Sequence, residues 1–171
     1  LSLAAAAQFS LNTTTSNPIV RFDTAVSQVL INSGRKPNYA SAELSVMKDM
    51  KNHTSVAERV KYTSAEITER TLGALFDIPQ FLVASGQIDS AAEGAADSIG
   101  NIWGDHVFVG WKPNRPGLNQ PSAGITFMSE ALNVRRWRND ERKGEMVEVA
   151  LDFDCKIVSS LSGFLIIDTQ A

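Results

Sequence analysis

The chain contains very few residues of the kinds that form disulfides and metal sites. One of its 171 residues is cysteine, Cys155, and two are histidines, His53 and His106. A lone cysteine forms no internal disulfide, and one thiol with two imidazoles is too few for a Cys/His zinc site. We therefore expect no metal and no cofactor, and this cysteine count is typical of proteins from a reducing cytosol.

Long apolar runs and an excess of basic charge are missing as well. No apolar run approaches the roughly 18 residues that a membrane-spanning helix needs, and residues 1–7 lack the basic flank of a signal peptide. The formal net charge is −3, so no overall positive potential exists to hold nucleic-acid phosphates. The composition, 43% hydrophobic and 20% charged, predicts one ordinary globular domain without a membrane partner.

Common catalytic and nucleotide-binding motifs are also absent. The sequence has no G-x-S-x-G, P-loop, G-x-G-x-x-G, H-E-x-x-H or C-x-x-C. His106 precedes an apolar segment and is predicted to be structural, with a small hydrolase that uses His106 and a serine as the alternative. His53 is predicted to be a favourable cation at a helix C-terminus. We expect a protein that is not an enzyme.

The first half of the chain reads as helical. Asn17 and Pro18 predict the start of a helix over residues 18–33, and Gly34 predicts its end. Its apolar face repeats every three to four residues, at Ile19, Phe22, Val26, Val29 and Leu30.

Three further helices have candidate caps. Ser41 is predicted to cap a second helix, and Ser55 with Glu58 forms the S-x-x-E pattern of a capping box for a third. Thr68 is predicted to cap a fourth, which ends near Phe76.

The second half reads mostly as strands. Apolar segments at 81–83, 107–111 and 164–167 predict strands, and the proline- and glycine-rich residues 113–124 predict a loop. The longest pattern is a strict alternation that predicts a strand of about 35 Å with one inward face. Its inward residues are Val147, Val149, Leu151, Phe153, Cys155 and Ile157. The fold class is therefore α+β with an antiparallel or mixed sheet.

Charges of opposite sign occupy consecutive segments around a predicted turn. In a lone domain they predict a hairpin with cross-strand pairs, with Trp137 as a surface on which an arginine stacks. In an assembly the same charges predict contacts between subunits that set their register. The candidate contact residues are Arg135, Arg136, Arg138, Arg142, Lys143, Glu145, Glu148, Asp152 and Asp154.

A series of short segments from residue 17 onward has a recognisable order. They are Asn17-Pro18-Ile19, Gly34-Arg35-Lys36-Pro37-Asn38, Glu58-Arg59-Val60-Lys61-Tyr62-Thr63, Thr68 to Phe76, Ala91-Ala92-Glu93-Gly94-Ala95, Ile102-Trp103-Gly104, Pro121-Ser122-Ala123-Gly124 and Gly163-Phe164-Leu165-Ile166. In order and spacing they resemble the major capsid proteins of tailed double-stranded DNA bacteriophages, which have the Hong Kong 97 fold. Each segment alone has little specificity.

The resemblance implies a division of the chain. Residues 17–36 correspond to the end of the spine helix of the peripheral domain, 37–124 mainly to the axial domain, and 125–171 to return strands that both domains share, including one long peripheral strand. Residues 1–16 are a tether or the end of a missing element. The arm and extended loop that precede the spine in this family are not found, and the first residue is leucine, so we expect a fragment of a longer protein.

The resemblance also implies a function. We expect a subunit of an icosahedral phage head that assembles into hexamers and pentamers around double-stranded DNA, in the host cytoplasm and then in the virion. The expected partners are copies of the chain, scaffold, portal and decoration proteins, and DNA held without sequence preference. The alternative with the same fold is a nanocompartment shell of the encapsulin kind.

Overall fold

Helices dominate the first half of the computed structural model and strands the second. The structure describes residues 4–9, 17–62, 66–115, 117 and 120–168, and of residues 4–9, 130, 131 and 168 it describes the backbone alone. The elements are β1 (Ala4–Phe9), α1 (Pro18–Ser33), β2 (Tyr39–Glu43), α2 (Leu44–Asn52), α3 (Thr54–Val60), α4 (Glu69–Leu75), β3 (Gln80–Ala84), β4 (Gln87–Asp89), β5 (Ile99–Asn101), β6 (His106–Gly110), β7 (Gly124–Asn139), β8 (Gly144–Ile157), a 3₁₀ turn (Ser160–Ser162) and β9 (Gly163–Asp168).

Five strands form one mixed sheet in the order β1-β9-β6-β2-β3. Strands β1 and β9 run parallel, as do β2 and β3, whereas β6 is antiparallel to both β2 and β9. The predicted α+β class with a mixed sheet is confirmed. Residues 4–9, predicted to belong to a tether or to the end of a missing element, form an edge strand of this sheet, and most of the remaining N-terminal residues lie outside the described part of the chain.

The ends of α1 and α4 follow from local chemistry, as predicted. Asn17 Oδ1 accepts a hydrogen bond of 3.0 Å from the Ile19 N–H, and Gly34 adopts φ +67° while its N–H donates to Leu30 O over 2.8 Å. Glycine suits this left-handed position because it lacks a Cβ. Thr68 caps α4 by accepting a bond from the third residue of that helix.

Two predicted caps are wrong. Ser41 lies inside β2, between β3 and β6, and Glu43 precedes α2 without a side-chain cap. The sheet pairing competes with the local capping signal and wins, because it satisfies the same backbone groups. Helix α3 starts two residues earlier than the Ser55–Glu58 box predicts: its N-cap is His53, whose Nδ1 accepts the Ser55 N–H at 3.3 Å. His53 is buried and lies at the C-terminus of α2, as predicted, and its side chain also caps α3. The favourable charge proposed for it there stays a prediction.

One face of the five-stranded sheet carries all four helices of the described chain. Its side chains alternate along each strand, with Ala40, Ala42, Val107, Val109, Phe164 and Ile166 in the core. The residues of α1 that lie in the core are Ile19, Phe22, Ala25 and Val29. Leu30, which was predicted to lie on the apolar face of this helix, is 47% exposed. Phe22 stacks on Phe76 with ring centroids 3.9 Å apart, and Phe81 tilts against both rings.

The remaining strands form two separate two-stranded ribbons. Strands β4 and β5 make a short one that the sequence pattern did not predict. Strands β7 and β8 make a hairpin, of 16 and 14 residues, that reaches about 45 Å at the usual rise per residue. The hairpin turn is held by Asn139 Oδ1, which accepts the N–H groups of Glu141 and Arg142. The predicted loop before β7 is confirmed over its described residues.

The aromatic stack predicts where stability is concentrated. We expect Phe22→Ala to lower the free energy of unfolding by about 3 to 5 kcal/mol, because Phe22 is fully buried and its removal leaves a cavity beside Phe76. The control is Val20→Ala on the same helix, whose side chain is 56% exposed and whose loss changes stability little. Urea denaturation of both variants measures the difference, and equal losses would contradict the packing described here.

Candidate interaction surface on the long hairpin

One face of the β7–β8 hairpin carries most of its exposed apolar side chains, beside Arg136, which pairs with Val147. Cross-strand partners point to the same side of a sheet, so Met128 shares a face with Phe153, and Val134 with Val149. The apolar side chains of this face are between 41% and 61% exposed in the chain. We call this set the apolar face: Met128, Val134, Val147, Val149, Leu151, Phe153 and Ile157.

The alternation along β8 is as predicted, but the expectation that one face points inward is wrong for the chain by itself. No described residue covers the apolar face, and both faces of β8 are exposed along most of its length. Cys155, predicted to lie inward, is exposed, with Sγ 3.4 Å from Thr126 Oγ1. Periodicity identifies residues that share a face, whereas burial requires a further layer of structure.

Strand β7 is irregular near its middle. It has two residues more than β8, and its register shifts between Met128 and Glu130 and again before Asn133. These shifts are β-bulges, which increase the local twist and bend the strand. From Asn133 to Asn139 the pairing with β8 is regular up to the turn.

The nine predicted charge-contact residues all lie on this hairpin or its turn. Arg136 pairs with Glu145 at 3.7 Å, Arg138 with Asp140 at 3.1 Å, and Asp154 with Lys156 at 2.8 Å. Every one of these pairs is exposed, so each contributes little to stability. Among the described residues, no ion pair involves the other five: Arg135, Arg142, Lys143, Glu148 and Asp152.

Two electrostatic details concern individual side chains. The hydrogen bond and the negative charge of Asp154 raise the pKa of Lys156 above its usual value. In the part of the chain that the structure describes, no cation stacks on Trp137, contrary to the expectation. The arginine that does stack is Arg35, 4.4 Å from the ring centroid of Trp111.

A cavity of about 440 Å³ lies where the hairpin joins the five-stranded sheet. Its lining includes four aromatic side chains, and Ser41 Oγ there is buried without a hydrogen-bond partner in the described chain. The sequence analysis missed this cavity, because its walls come from segments that are distant in the sequence. The lining includes Tyr39, Ser41, Trp103, Phe108, Trp111, Thr126 and Ile157.

His106, the residue of the hydrolase alternative, lies elsewhere. It opens β6 opposite Ile167, and it is not among the cavity-lining residues. Its Nδ1 is buried and has no hydrogen-bond partner among the described residues. Over the same residues, no group of three His, Cys, Asp or Glu side chains could hold a metal ion, and no helix has the length and hydropathy to cross a membrane.

Comparison with known proteins finds similarity to a phage protein and to a phage-related protein. The crystal structure of a phage-related protein from Bordetella bronchiseptica RB50 superposes with a TM-score of 0.84 at 29% sequence identity, over 92% of this chain and 53% of that one. The major capsid protein of Burkholderia phage BcepMu is 26% identical over 157 residues, which cover 88% of this chain and 50% of the phage protein. No protein-family model matches the chain.

These comparisons confirm the resemblance to phage major capsid proteins. The chain spans about half the length of the two similar proteins. The assignment to the Hong Kong 97 fold in particular, and the division into spine, axial and peripheral segments, stay predictions.

The exposure of the apolar face predicts a contrast between two identical substitutions. We expect Val149→Thr, at 61% exposure, to change the free energy of unfolding by less than about 0.5 kcal/mol. Val109→Thr, which places the same hydroxyl in the core of the sheet at 0% exposure, is expected to cost about 1 to 3 kcal/mol. Urea denaturation at low protein concentration measures both values. An equal cost at the two sites would mean that the hairpin face is covered within the chain.

Proposed function

We propose that this chain is a shell-building part of a bacteriophage major capsid protein. The observation that carries the proposal is the apolar face of the hairpin, exposed in a chain whose similar proteins are a phage capsid protein and a phage-related protein. Both similar proteins come from phages or are phage-related, which favours a viral head over an encapsulin-like compartment.

The apolar face is large enough to form part of a contact with copies of the chain. Along β8 from Val147 to Ile157 and across two strands it covers roughly 300 Å². That is comparable to the largest apolar patch of a typical monomer, and such patches are often functional. A stable interface buries about 800 Å² on each partner, so this face supplies part of a contact and further surfaces supply the rest. Many contacts of moderate size, summed over a closed shell, give stability that none of them has alone.

The proposed assembly into hexamers and pentamers uses contacts of the head-to-tail kind, which form rings where the rotation between subunits closes. The net charge of −3 suits a container that encloses double-stranded DNA without binding it tightly. We place the assembled protein in the virion and its assembly in the host cytoplasm. Scaffold, portal and decoration proteins are its further proposed partners, and its role is structural.

Electron microscopy of the expressed full-length protein tests this function. We expect shells or rings for the wild type, and monomers or small oligomers for the double variant Val149→Asp/Phe153→Asp, because two carboxylates on the apolar face oppose its desolvation. Ile31→Asp, at an apolar site 74% exposed on α1, is the matched control and is expected to assemble.

Two results would contradict the proposal. A wild-type protein that stays monomeric under all assembly conditions would remove the structural role. Normal assembly of the double variant, with unchanged circular dichroism, would show that the hairpin face is not a subunit contact.

A further inference from the structure

The hairpin has two long strand edges that nothing in the described chain pairs. Strand β7 pairs with β8 alone and β8 with β7 alone, so each leaves one row of backbone N–H and C=O groups open. Such edges are templates for pairing with another chain. The bulges of β7 disturb its edge before Asn133, and the regular stretches are 133–139 on β7 and 144–150 on β8.

These two regular stretches carry opposite charges. The β7 stretch contains Arg135, Arg136 and Arg138 and no acidic residue, and the β8 stretch contains Glu145 and Glu148 and no basic one. All five residues are exposed. The charge on each edge therefore depends on which strand forms it.

Charge discriminates among the ways in which two copies can join at these edges. Any twofold-symmetric edge contact pairs a strand with itself, which places arginines beside arginines or glutamates beside glutamates. Directly opposed like charges are destabilising in a sheet, whereas opposite charges stabilise it. Only the contact of the β7 edge with the β8 edge of another copy matches the signs.

We propose that copies of the chain join edge to edge through their hairpins, with residues 133–139 of one copy beside residues 144–150 of the next. The inference rests on the proposed function and specifies its subunit contact. Hairpins that point in the same direction make this contact antiparallel, because β7 and β8 are antiparallel within each hairpin. The contact is head-to-tail, so every copy offers one edge of each kind and a closed ring leaves neither unpaired.

This arrangement also explains the position of the apolar face. Neighbouring hairpins in one continuous sheet turn the same face to the same side, so the apolar faces of successive copies join into one surface. A surface of several copies is large enough to hold a second layer of protein, which one hairpin is not. The edge contact thus sets the register and the order of the copies, and the apolar face supplies buried area for contact with the second layer.

A charge swap tests the contact without disturbing the hairpin. Arg135 and Glu148 are cross-strand partners within one hairpin, and within the described chain neither takes part in an ion pair. The double variant Arg135→Glu/Glu148→Arg keeps opposite charges both within the hairpin and between copies of itself. Against a wild-type copy, however, it places Glu beside Glu or Arg beside Arg at every edge contact.

We expect the wild type and the double variant each to self-associate, but to form few mixed oligomers with each other. Native mass spectrometry of an equal mixture, with the wild type labelled with ¹⁵N, counts mixed and pure oligomers. Mixed contacts are expected about tenfold below random mixing, the factor that corresponds to reversing one exposed pair in each contact. The single variant Arg135→Glu is the control, with weakened self-association that the second substitution restores, and circular dichroism checks that all variants are folded.

The outcomes separate this inference from the proposed function. Random mixing of self-associating proteins would overturn the edge contact and leave a capsid role intact. A preference for mixed oligomers would overturn it in favour of a twofold contact between like edges. A wild type that never associates would overturn the proposed function and this inference with it.

Discussion

A two-stranded sheet cannot bury its own side chains, and the rest of the structure depends on this constraint. In the five-stranded sheet, the helices cover one face and make it a core that includes Phe22, Val107 and Val109. Strand β8 alternates apolar and polar residues and pairs with β7, but no helix packs against either strand in the described chain. The apolar side chains of the hairpin therefore stay exposed to water unless another layer of structure packs on them. Burying them in such a contact releases free energy that favours association.

The chain thus separates the part with a packed core from the part that we propose as a contact surface. The helix-covered sheet is closely packed around its aromatic stack. The hairpin is connected to it at its base, where the Ala123 N–H donates to the O of Trp111, the residue after β6, over 3.5 Å. We expect substitutions on the hairpin faces to change the folding stability of the chain little, since little of their side-chain surface changes environment on folding. Under the proposed function, this separation suits a subunit that must be stable before it assembles.

In the proposed contact between copies, the exposed charges of the hairpin act on specificity more than on affinity. Pairs such as Arg136 with Glu145 are surrounded by water, and such pairs contribute little when they form. Their arrangement is more informative than their strength, because basic residues gather on one strand and acidic residues on the other. A repulsive contact is excluded even where an attractive one adds little, and register and order follow from that exclusion.

The sequence by itself determined the elements that depend on neighbouring residues. The start of α1 at Pro18, its end at Gly34, the cap at Thr68, the alternation of β8 and the α+β class all follow from backbone hydrogen bonding and periodicity over a few residues. The candidate surface was predictable to the same extent: its charged residues and the set that shares one face are visible in the printed chain.

Tertiary structure alone decided what lies over each face. Ser41 joined a strand and not a helix cap because β3 and β6 flank it, and Leu30 stayed exposed while Ala25 entered the core. Cys155 and its neighbours on β8 are open for the same kind of reason, since no described element packs on them. Burial depends on contacts between segments that are distant in the sequence. A local sequence pattern does not specify which of those segments packs on it.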